Sequence, residues 1–222
     1  MQDAPPIPAV QQVAAQAVRG TLGRGTDVDA CTALVSRVDQ LLEQAAQQLQ
    51  QPGAALACRI GCSFCCHLRV MVLPHEAIAL FRYLQSQMPA DRAQRVRAKL
   101  REYTNAGAEV PSRRPCAFLV EGACAAYEVR PSACAAYHSL SRERCEQSFH
   151  DPGLPGAAVA LESLWAVAVA LEDGMKEALQ TQGLSRTPVE LHAALAALLA
   201  DPALIARWRS GRPLLKAPTR DK

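Results

Sequence analysis

Eight of the chain's nine cysteines fall between residues 58 and 145, and this clustering constrains the fold more than any other feature of the sequence. They form two sets, of which the first lies in the segment CRIGCSFCCH: Cys58, Cys62, Cys65 and Cys66, then Cys116, Cys124, Cys134 and Cys145. Cysteines two or three residues apart on an irregular loop can place their sulfur atoms about 2.3 Å from one metal ion. The spacing therefore predicts two metal-binding loops.

Cysteines at this density are metal ligands only where thiols stay reduced. No lysine or arginine precedes Arg19 and no unbroken apolar segment follows Met1, so the N-terminus is unlike a secretory signal peptide. The longest apolar stretch, residues 157–171, is interrupted by Glu162 and is shorter than the roughly 20 residues that a membrane helix needs. We expect a cytoplasmic protein with no membrane contact.

The charge of the chain argues against nucleic acid as a partner. Lys and Arg number 24 and Asp and Glu 21, which leaves a net charge of only +3. Basic residues between Arg92 and Arg101 spread around their helix, which is typical of a solvated face, with a possible acidic protein partner as the alternative. The expected partners are thus a metal ion or cluster, with another protein as a second candidate.

The rest of the sequence predicts a mostly α fold, in which a helical scaffold holds irregular Cys-rich metal-binding loops. Apolar residues recur at three- and four-residue spacing, and we predict helices over residues 27–51, from 74, over 91–104 and over 157–180, with short helical turns at 124–129 and 131–137. Thr187-Pro188-Val189-Glu190 reads as a capping box that starts another helix. No segment alternates as a strand would, so no strand is predicted.

The expected domain organisation has three parts. Residues 1–25 contain three prolines and three glycines and are expected to form a flexible N-terminal arm with one short helix from Val10 to Arg19. Residues 26–211 are expected to form a single helical domain, with the cysteine cluster at 55–150, and residues 212–222 a C-terminal tail. Cys31 lies alone on an apolar helix face and is expected in the core.

The number of thiols leaves the type of centre open. Zinc and a [4Fe–4S] cluster each take four cysteines, so eight thiols indicate either a polynuclear site or spare thiols. Cys65 and Cys66 are adjacent, and neighbouring side chains are expected to point apart, which disfavours both on one tetrahedral ion. Spacing does not separate zinc from iron, because both accept thiolates.

The motifs in this region together resemble the YkgJ-type cysteine-cluster family, bacterial proteins described as zinc- or iron-chelating domains. The resemblance covers about residues 55–150 and rests on three strings: CxxxCxxCC, then Pro115-Cys116-x-Phe118-Leu119, then Gly122-x-Cys124-x-x-Tyr127-x-x-Arg130-Pro131-x-x-Cys134-x-x-Tyr137-His138. It implies the metal-ligand set Cys58, Cys62, Cys65, Cys66, Cys116, Cys124 and Cys134. Cys145 is left open.

The cluster is also similar to that of the flagellin lysine N-methylase family, which has a C-x7-C spacing like that of Cys116 and Cys124 and uses S-adenosylmethionine. That similarity implies an iron–sulfur cluster, and protein-lysine N-methylation as an alternative function. No glycine-rich fingerprint for a nucleotide-type cofactor follows a predicted strand.

Several other residues are weighed as supporting groups. For Arg130, one interpretation is a hydrogen bond to a cluster sulfur or to an anionic substrate; the interpretation that we favour is structural support of the loop. For His138, and less strongly for His67, one interpretation is a ligand of a mixed Cys/His site; the one that we favour is a supporting role beside it. His192 is interpreted as a boundary residue of an apolar helix, and the pair His75 and Glu76 as serving a helix start and solvent.

The resulting functional hypothesis is a cytosolic metal-binding protein that holds zinc or an iron–sulfur cluster and acts in metal handling, sensing or scaffolding. The first alternative is S-adenosylmethionine-dependent protein-lysine methylation. The second alternative is thiol–disulfide redox chemistry, which rests on the pair Cys62 and Cys65.

Overall fold

Helices make up most of the computed structural model, which describes residues 7–22, 28–49, 56–59, 61–105, 113–151, 153 and 161–215. Within these residues the α-helices are α1 (Ile7–Leu22), α2 (Val28–Leu49), α3 (Pro74–Ser86), α4 (Ala90–Asn105), α5 (Ser132–Ala136), α6 (Arg142–His150), α7 (Glu162–Thr181), α8 (Leu191–Ala200) and α9 (Leu204–Arg209). Two 3-10 turns, Phe64–His67 and Tyr127–Val129, lie in the Cys-rich region. The predicted mostly α fold is confirmed.

Two small antiparallel sheets correct the prediction of no strands. Strand β1 (Met71–Val72) pairs with β4 (Val189–Glu190), and β2 (Leu119–Val120) pairs with β3 (Ala123–Cys124). Glu121 and Gly122 form the β2–β3 turn and both have positive φ, 53° and 78°, as a type I′ turn requires. Strands of two residues are too short to show an alternating pattern, so they cannot be predicted from hydrophobic periodicity.

Helix α1 (Ile7–Leu22) contains the short helix predicted from Val10 to Arg19 and extends it at both ends. Its apolar face is buried, with Val10, Ala14, Val18 and Leu22 in the core, and it packs mainly against α7. The other predicted arm residues lie outside the described ones. In the predicted tail Leu214 is buried, while residues 216–222 lie outside the described part. The division into one helical domain and a tail otherwise stays a prediction.

The scaffold helices pack on one another and on α5 of the Cys-rich region. Helix α2 packs against α1, α3, α5 and α7, and α8 packs against α3 and α4. Cys31 is fully buried on α2, as predicted. The described part contains no helix that combines the length and the apolar character needed to cross a membrane.

The start of α8 differs from its prediction, and α6 was not predicted. Val189 and Glu190 belong to β4, so α8 begins only at Leu191, and Glu190 caps it by accepting a hydrogen bond from the Ala193 N–H at 2.7 Å. The predicted capping box was therefore placed too early. Helix α6 was not predicted because it lacks an apolar stripe; its one signal is Ser141, whose hydroxyl caps the N–H of Arg144.

Candidate metal centre

The first cysteine loop is organised by its own backbone. The N–H of Cys62 donates to the carbonyl of Arg59 at 2.9 Å, and the N–H of Cys66 donates to that of Ser63 at 3.0 Å. Gly61, directly before Cys62, has a φ of 87° and permits the first of these two turns. This folding puts Cys65 and Cys66 on the 3-10 turn Phe64–His67.

Backbone hydrogen bonds join this loop to the second one. The N–H of Cys116 donates to the carbonyl of Cys66 at 2.7 Å, and the N–H of Arg114 donates to that of His67 at 3.1 Å. Leu68 and Arg113 form an antiparallel bridge beside them. The two cysteine sets, separated in sequence by α3 and α4, therefore lie side by side.

Peptide N–H groups face three of the sulfurs. Cys58 Sγ accepts the N–H of Ser139 at 3.1 Å. The N–H groups of Phe118 and Ala126 hydrogen-bond to Cys116 and Cys124 and lower the pKa of these thiols, although burial outweighs them. Donors of this kind favour a thiolate and are the support that metal-bound thiolates receive in proteins.

One group of thiols includes Cys124 of strand β3. Burial raises the pKa of Cys134 well above its ordinary value, and the charges of Cys116, Cys124 and Cys65 raise it further. Burial likewise raises the pKa of Cys116 to about 12, with Cys124 adding to the effect. These mutual effects place four thiols in one neighbourhood, the hairpin group: Cys65, Cys116, Cys124 and Cys134.

A second group of thiols lies toward α6. Burial raises the pKa of Cys58, and the charges of Cys65, Cys62 and Cys145 add to this. Burial also raises the pKa of the Tyr137 hydroxyl, with further increases from Cys145, Cys65 and Cys58. We name these thiols the α6 group: Cys58, Cys62, Cys65 and Cys145. Cys65 thus belongs to both neighbourhoods.

The vicinal pair is coupled electrostatically. The pKa of Cys65 is raised first by a hydrogen bond with the Cys66 thiol and then by burial. The expectation that these two side chains point apart stays a prediction.

The donor set has the chemistry of a metal site but not a preformed coordination geometry. All nine cysteines are described, and none of them forms a disulfide. Within the described residues, no group of three or more His, Cys, Asp or Glu side chains is arranged so that it could hold a metal ion as it stands. Clustered, amide-supported thiols fit a thiophilic metal, and their side chains would have to turn toward a common centre to bind it. The seven-cysteine ligand set therefore stays a prediction.

Arg130 connects the scaffold to the thiols. Its Nε lies 3.0 Å from Asp39 Oδ1 of α2, with side chains only 11% and 18% exposed, and its guanidinium lies 4.1 Å from the centre of the Tyr127 ring. Its positive charge acts to lower the pKa of Cys124, which burial raises overall. The same charge acts to lower the pKa of Cys65, which a hydrogen bond with Cys66 and burial raise overall. Arg130 is thus a structural anchor that also places a positive charge beside the hairpin group.

The histidines predicted as ligands or supports occupy different surroundings. Burial lowers the pKa of His138, and its charged neighbours are Arg130, Glu43 and Asp39, which places its ring toward α2. His67 Nδ1 lies 3.0 Å from the carbonyl oxygen of Ser63, and its ring packs against Phe149 with centroids 4.7 Å apart. Among the described residues, no hydrogen bond joins either ring to a sulfur atom.

His75 and Glu76 are buried, which corrects their assignment to solvent. Glu76 accepts hydrogen bonds from the N–H of Leu73 at 2.7 Å and from the N–H and hydroxyl of Ser132, both at 2.8 Å. It therefore fixes α5, which carries Cys134, to the start of α3. Burial lowers the pKa of His75 to about 3.

His192 is the residue that the sequence interpretation missed. It was interpreted as a helix boundary residue, yet it is only 2% exposed and its Nε2 lies 3.4 Å from Cys116 Sγ. Its Nδ1 lies 3.0 Å from Glu190 Oε1. A histidine inside the leucine- and alanine-rich segment of α8 was the one available signal, because Cys116 lies far away along the chain.

Comparison with known proteins finds one family model that matches the Cys-rich segment. Residues 57–151 match the CxxCxxCC family model, described as a "putative zinc- or iron-chelating domain". No curated protein and no solved structure matches the chain. The matched segment contains all eight clustered cysteines and supports metal-ion binding, while α1, α2, α7, α8 and α9 lie outside it.

Proposed function

We propose that this chain, whose residues 57–151 are a domain of the CxxCxxCC family, is a cytoplasmic protein that holds zinc or an iron–sulfur cluster. The proposed ligands are Cys58, Cys62, Cys65, Cys66, Cys116, Cys124 and Cys134. Its role would be metal handling, sensing or scaffolding, with another protein as the further partner.

The observation that carries this proposal is the joining of the two cysteine loops. Backbone hydrogen bonds between Cys66 and Cys116 and between His67 and Arg114 bring thiols from both loops into shared neighbourhoods. Clustering thiols gains nothing for a core, since reduced cysteines act there only as small apolar groups. A metal is the ligand for which such an arrangement is useful.

The two neighbourhoods support a polynuclear site rather than spare thiols. The hairpin group and the α6 group hold four thiols each and share Cys65, with Cys66 beside it. Cys145 lies within the electrostatic reach of Cys58 and is left open as a ligand.

The thiol–disulfide alternative rests on Cys62 and Cys65. Redox-active cysteines have depressed pKa values, because the thiolate is the reactive form. A hydrogen bond with the Cys66 thiol and burial raise the pKa of Cys65 instead, which disfavours this alternative. S-adenosylmethionine-dependent lysine methylation stays a prediction from the family resemblance alone.

Purification of the full chain without oxygen tests the proposal. Zinc, iron and acid-labile sulfide are measured per chain; an iron–sulfur centre gives a brown protein, and zinc gives a colourless one. Cys134→Ser is expected to lower the metal content, whereas Cys31→Ala, which changes a buried cysteine of α2, should leave it unchanged. A folded wild-type chain with reduced thiols and no stoichiometric zinc or iron would overturn the proposal.

A further inference from the structure

Outside the family-matched segment, His192 lies beside Cys116 and Glu190 lies behind His192. Glu190 ends β4 and His192 lies in the first turn of α8, and both are brought to Cys116 by the β1–β4 pairing and by the packing of α8 on α3 and α4. Both side chains are largely buried, at 16% and 3% exposure. Apolar packing does not explain why a histidine and a carboxylate are buried together, because buried polar groups require hydrogen-bond partners.

The hydrogen bonds define which ring nitrogen carries the proton. An ionised carboxylate only accepts, so the 3.0 Å contact between Glu190 Oε1 and His192 Nδ1 requires the proton on Nδ1. Nε2 is then an acceptor, and the N–H of Ala117 donates to it at 3.2 Å. The Cys116 sulfur lies 3.4 Å from the same nitrogen.

The other side of Cys116 is held by Tyr103 of α4. Its hydroxyl donates to the carbonyl of Pro115 at 2.7 Å, and its ring stacks on His192 with centroids 4.1 Å apart and an interplanar angle of 13°. The peptide groups before and after Cys116 are therefore each fixed by a side chain from the scaffold. This leaves the sulfur little freedom except rotation about its own side-chain bond.

We infer that His192, oriented by Glu190, is a positioning residue that fixes Cys116 for metal binding without binding the metal itself. The inference rests on the proposed function. A carboxylate–histidine pair directly behind a metal is a common arrangement, but there the second nitrogen faces the metal. Here the in-plane lone pair of Nε2 is already directed to the Ala117 N–H. The chain outside residues 57–151 would thus contribute to the metal site through hydrogen bonds.

Three substitutions in the full chain test this inference. His192→Leu removes both hydrogen bonds while keeping bulk, and His192→Gln offers an amide oxygen to the Ala117 N–H but is a poor ligand for zinc. Glu190→Gln weakens the hold on the ring. His75→Leu is the matched control, because His75 is equally buried and neither of its nitrogens has a hydrogen-bond partner among the described residues.

Zinc affinity is measured by competition with a chromogenic chelator, and the ligand set is read from the visible spectrum of the Co2+-substituted protein. His192→Leu should weaken zinc binding roughly 10- to 100-fold, the usual effect of losing a hydrogen-bonded supporting group. The stoichiometry and the positions of the Co2+ bands should stay as in the wild type. His192→Gln should recover most of the affinity, and Glu190→Gln should fall between.

Three results would overturn the inference. Unchanged affinity in folded His192→Leu would show that the histidine supports nothing at the centre. If His192→Gln is as weak as His192→Leu and both shift the Co2+ bands, His192 is a metal ligand. An equal loss in His75→Leu would mean that any buried histidine change weakens the site. Far-ultraviolet circular dichroism of each variant verifies folding, and a wild-type chain that binds no metal would refute the proposed function instead.

Discussion

Helices α1 and α7 and the Cys-rich loops are held together by different physics. The α1–α7 contact buries apolar side chains from both helices and brings the backbones so close that residue 174 must be glycine. The 3-10 turn Phe64–His67 and helix α6, by contrast, contain no fully buried residue. Their order comes from hydrogen bonds, thiol neighbours and the contacts of Phe64 and His67 with the Phe149 ring of α6. We therefore expect the scaffold to be stable alone and the loops to depend on metal.

Removal of the metal is expected to produce the largest difference in stability between the loops and the two helices. Structural zinc contributes on the order of 10–16 kcal/mol in small zinc-binding peptides, far more than the loops can obtain from apolar burial. After chelation under reducing conditions, hydrogen exchange measured by mass spectrometry should show lost protection of the amides in the loops, between residues 57 and 72 and between 113 and 151. Helices α1 and α7 should stay protected, and a metal-reloaded sample is the control. Equal loss in all helices would contradict the comparison.

The Asp39–Arg130 pair is the next largest test, because it joins the two regions. Asp39→Ala leaves Arg130 largely buried without its carboxylate, and loss of one partner of a buried pair costs about 3–5 kcal/mol. Since this pair retains partial exposure, we expect the lower end of that range in urea unfolding. Arg95→Ala is the control, because the Arg95–Glu121 pair is exposed and such pairs contribute roughly 0–1 kcal/mol. Similar losses in both variants would refute a special role for Asp39.

Gly174 tests the scaffold alone. A Cβ at this position would collide with the backbone of Gln11 and lie 2.9 Å from the Ala14 Cβ, so Gly174→Ala should cost about 1–3 kcal/mol as an overpacked contact. Gly20→Ala in α1 has no atom within 4 Å and should instead stabilise the helix by about 0.5–1 kcal/mol. Denaturant unfolding measures both. Metal content should change in neither variant, and a loss of metal in Gly174→Ala would show that scaffold and loops are coupled.

His75 gives the scaffold an acid sensitivity of smaller size. Burial lowers its pKa from 6.5 to about 3, so as the pH falls below 6.5 the unfolded chain takes up a proton that the folded chain refuses. Stability is therefore complete above pH 6.5 and declines toward pH 3, by at most about 1.4 kcal/mol per pH unit. Metal-free wild type and His75→Leu are compared in urea between pH 7 and pH 4.5. A decline of the same slope in both would show that other groups cause it.

Elements formed by interactions between neighbouring residues are predictable from sequence, whereas contacts between distant residues are not. Helices α2, α3 and α4 were predicted within a few residues, because an apolar stripe and a proline or glycine at the end are local signals. The hairpin at Glu121–Gly122 and the polar helix α6 lack such a stripe and were missed. Arg130 was recognised as a supporting residue, but its partner Asp39 was not, since nothing local connects them.

Helical periodicity and cysteine spacing are properties of neighbouring residues, so a mostly α chain with a dense set of thiols in residues 58–145 is predictable from sequence alone. The grouping of those thiols around Cys65, and the scaffold groups that face them, depend on the three-dimensional fold. The cause is long-range backbone pairing, Cys66 with Cys116 and Met71 with Glu190. The second of these pairings also carries the Glu190–His192 pair to Cys116, a contact that no local pattern encodes.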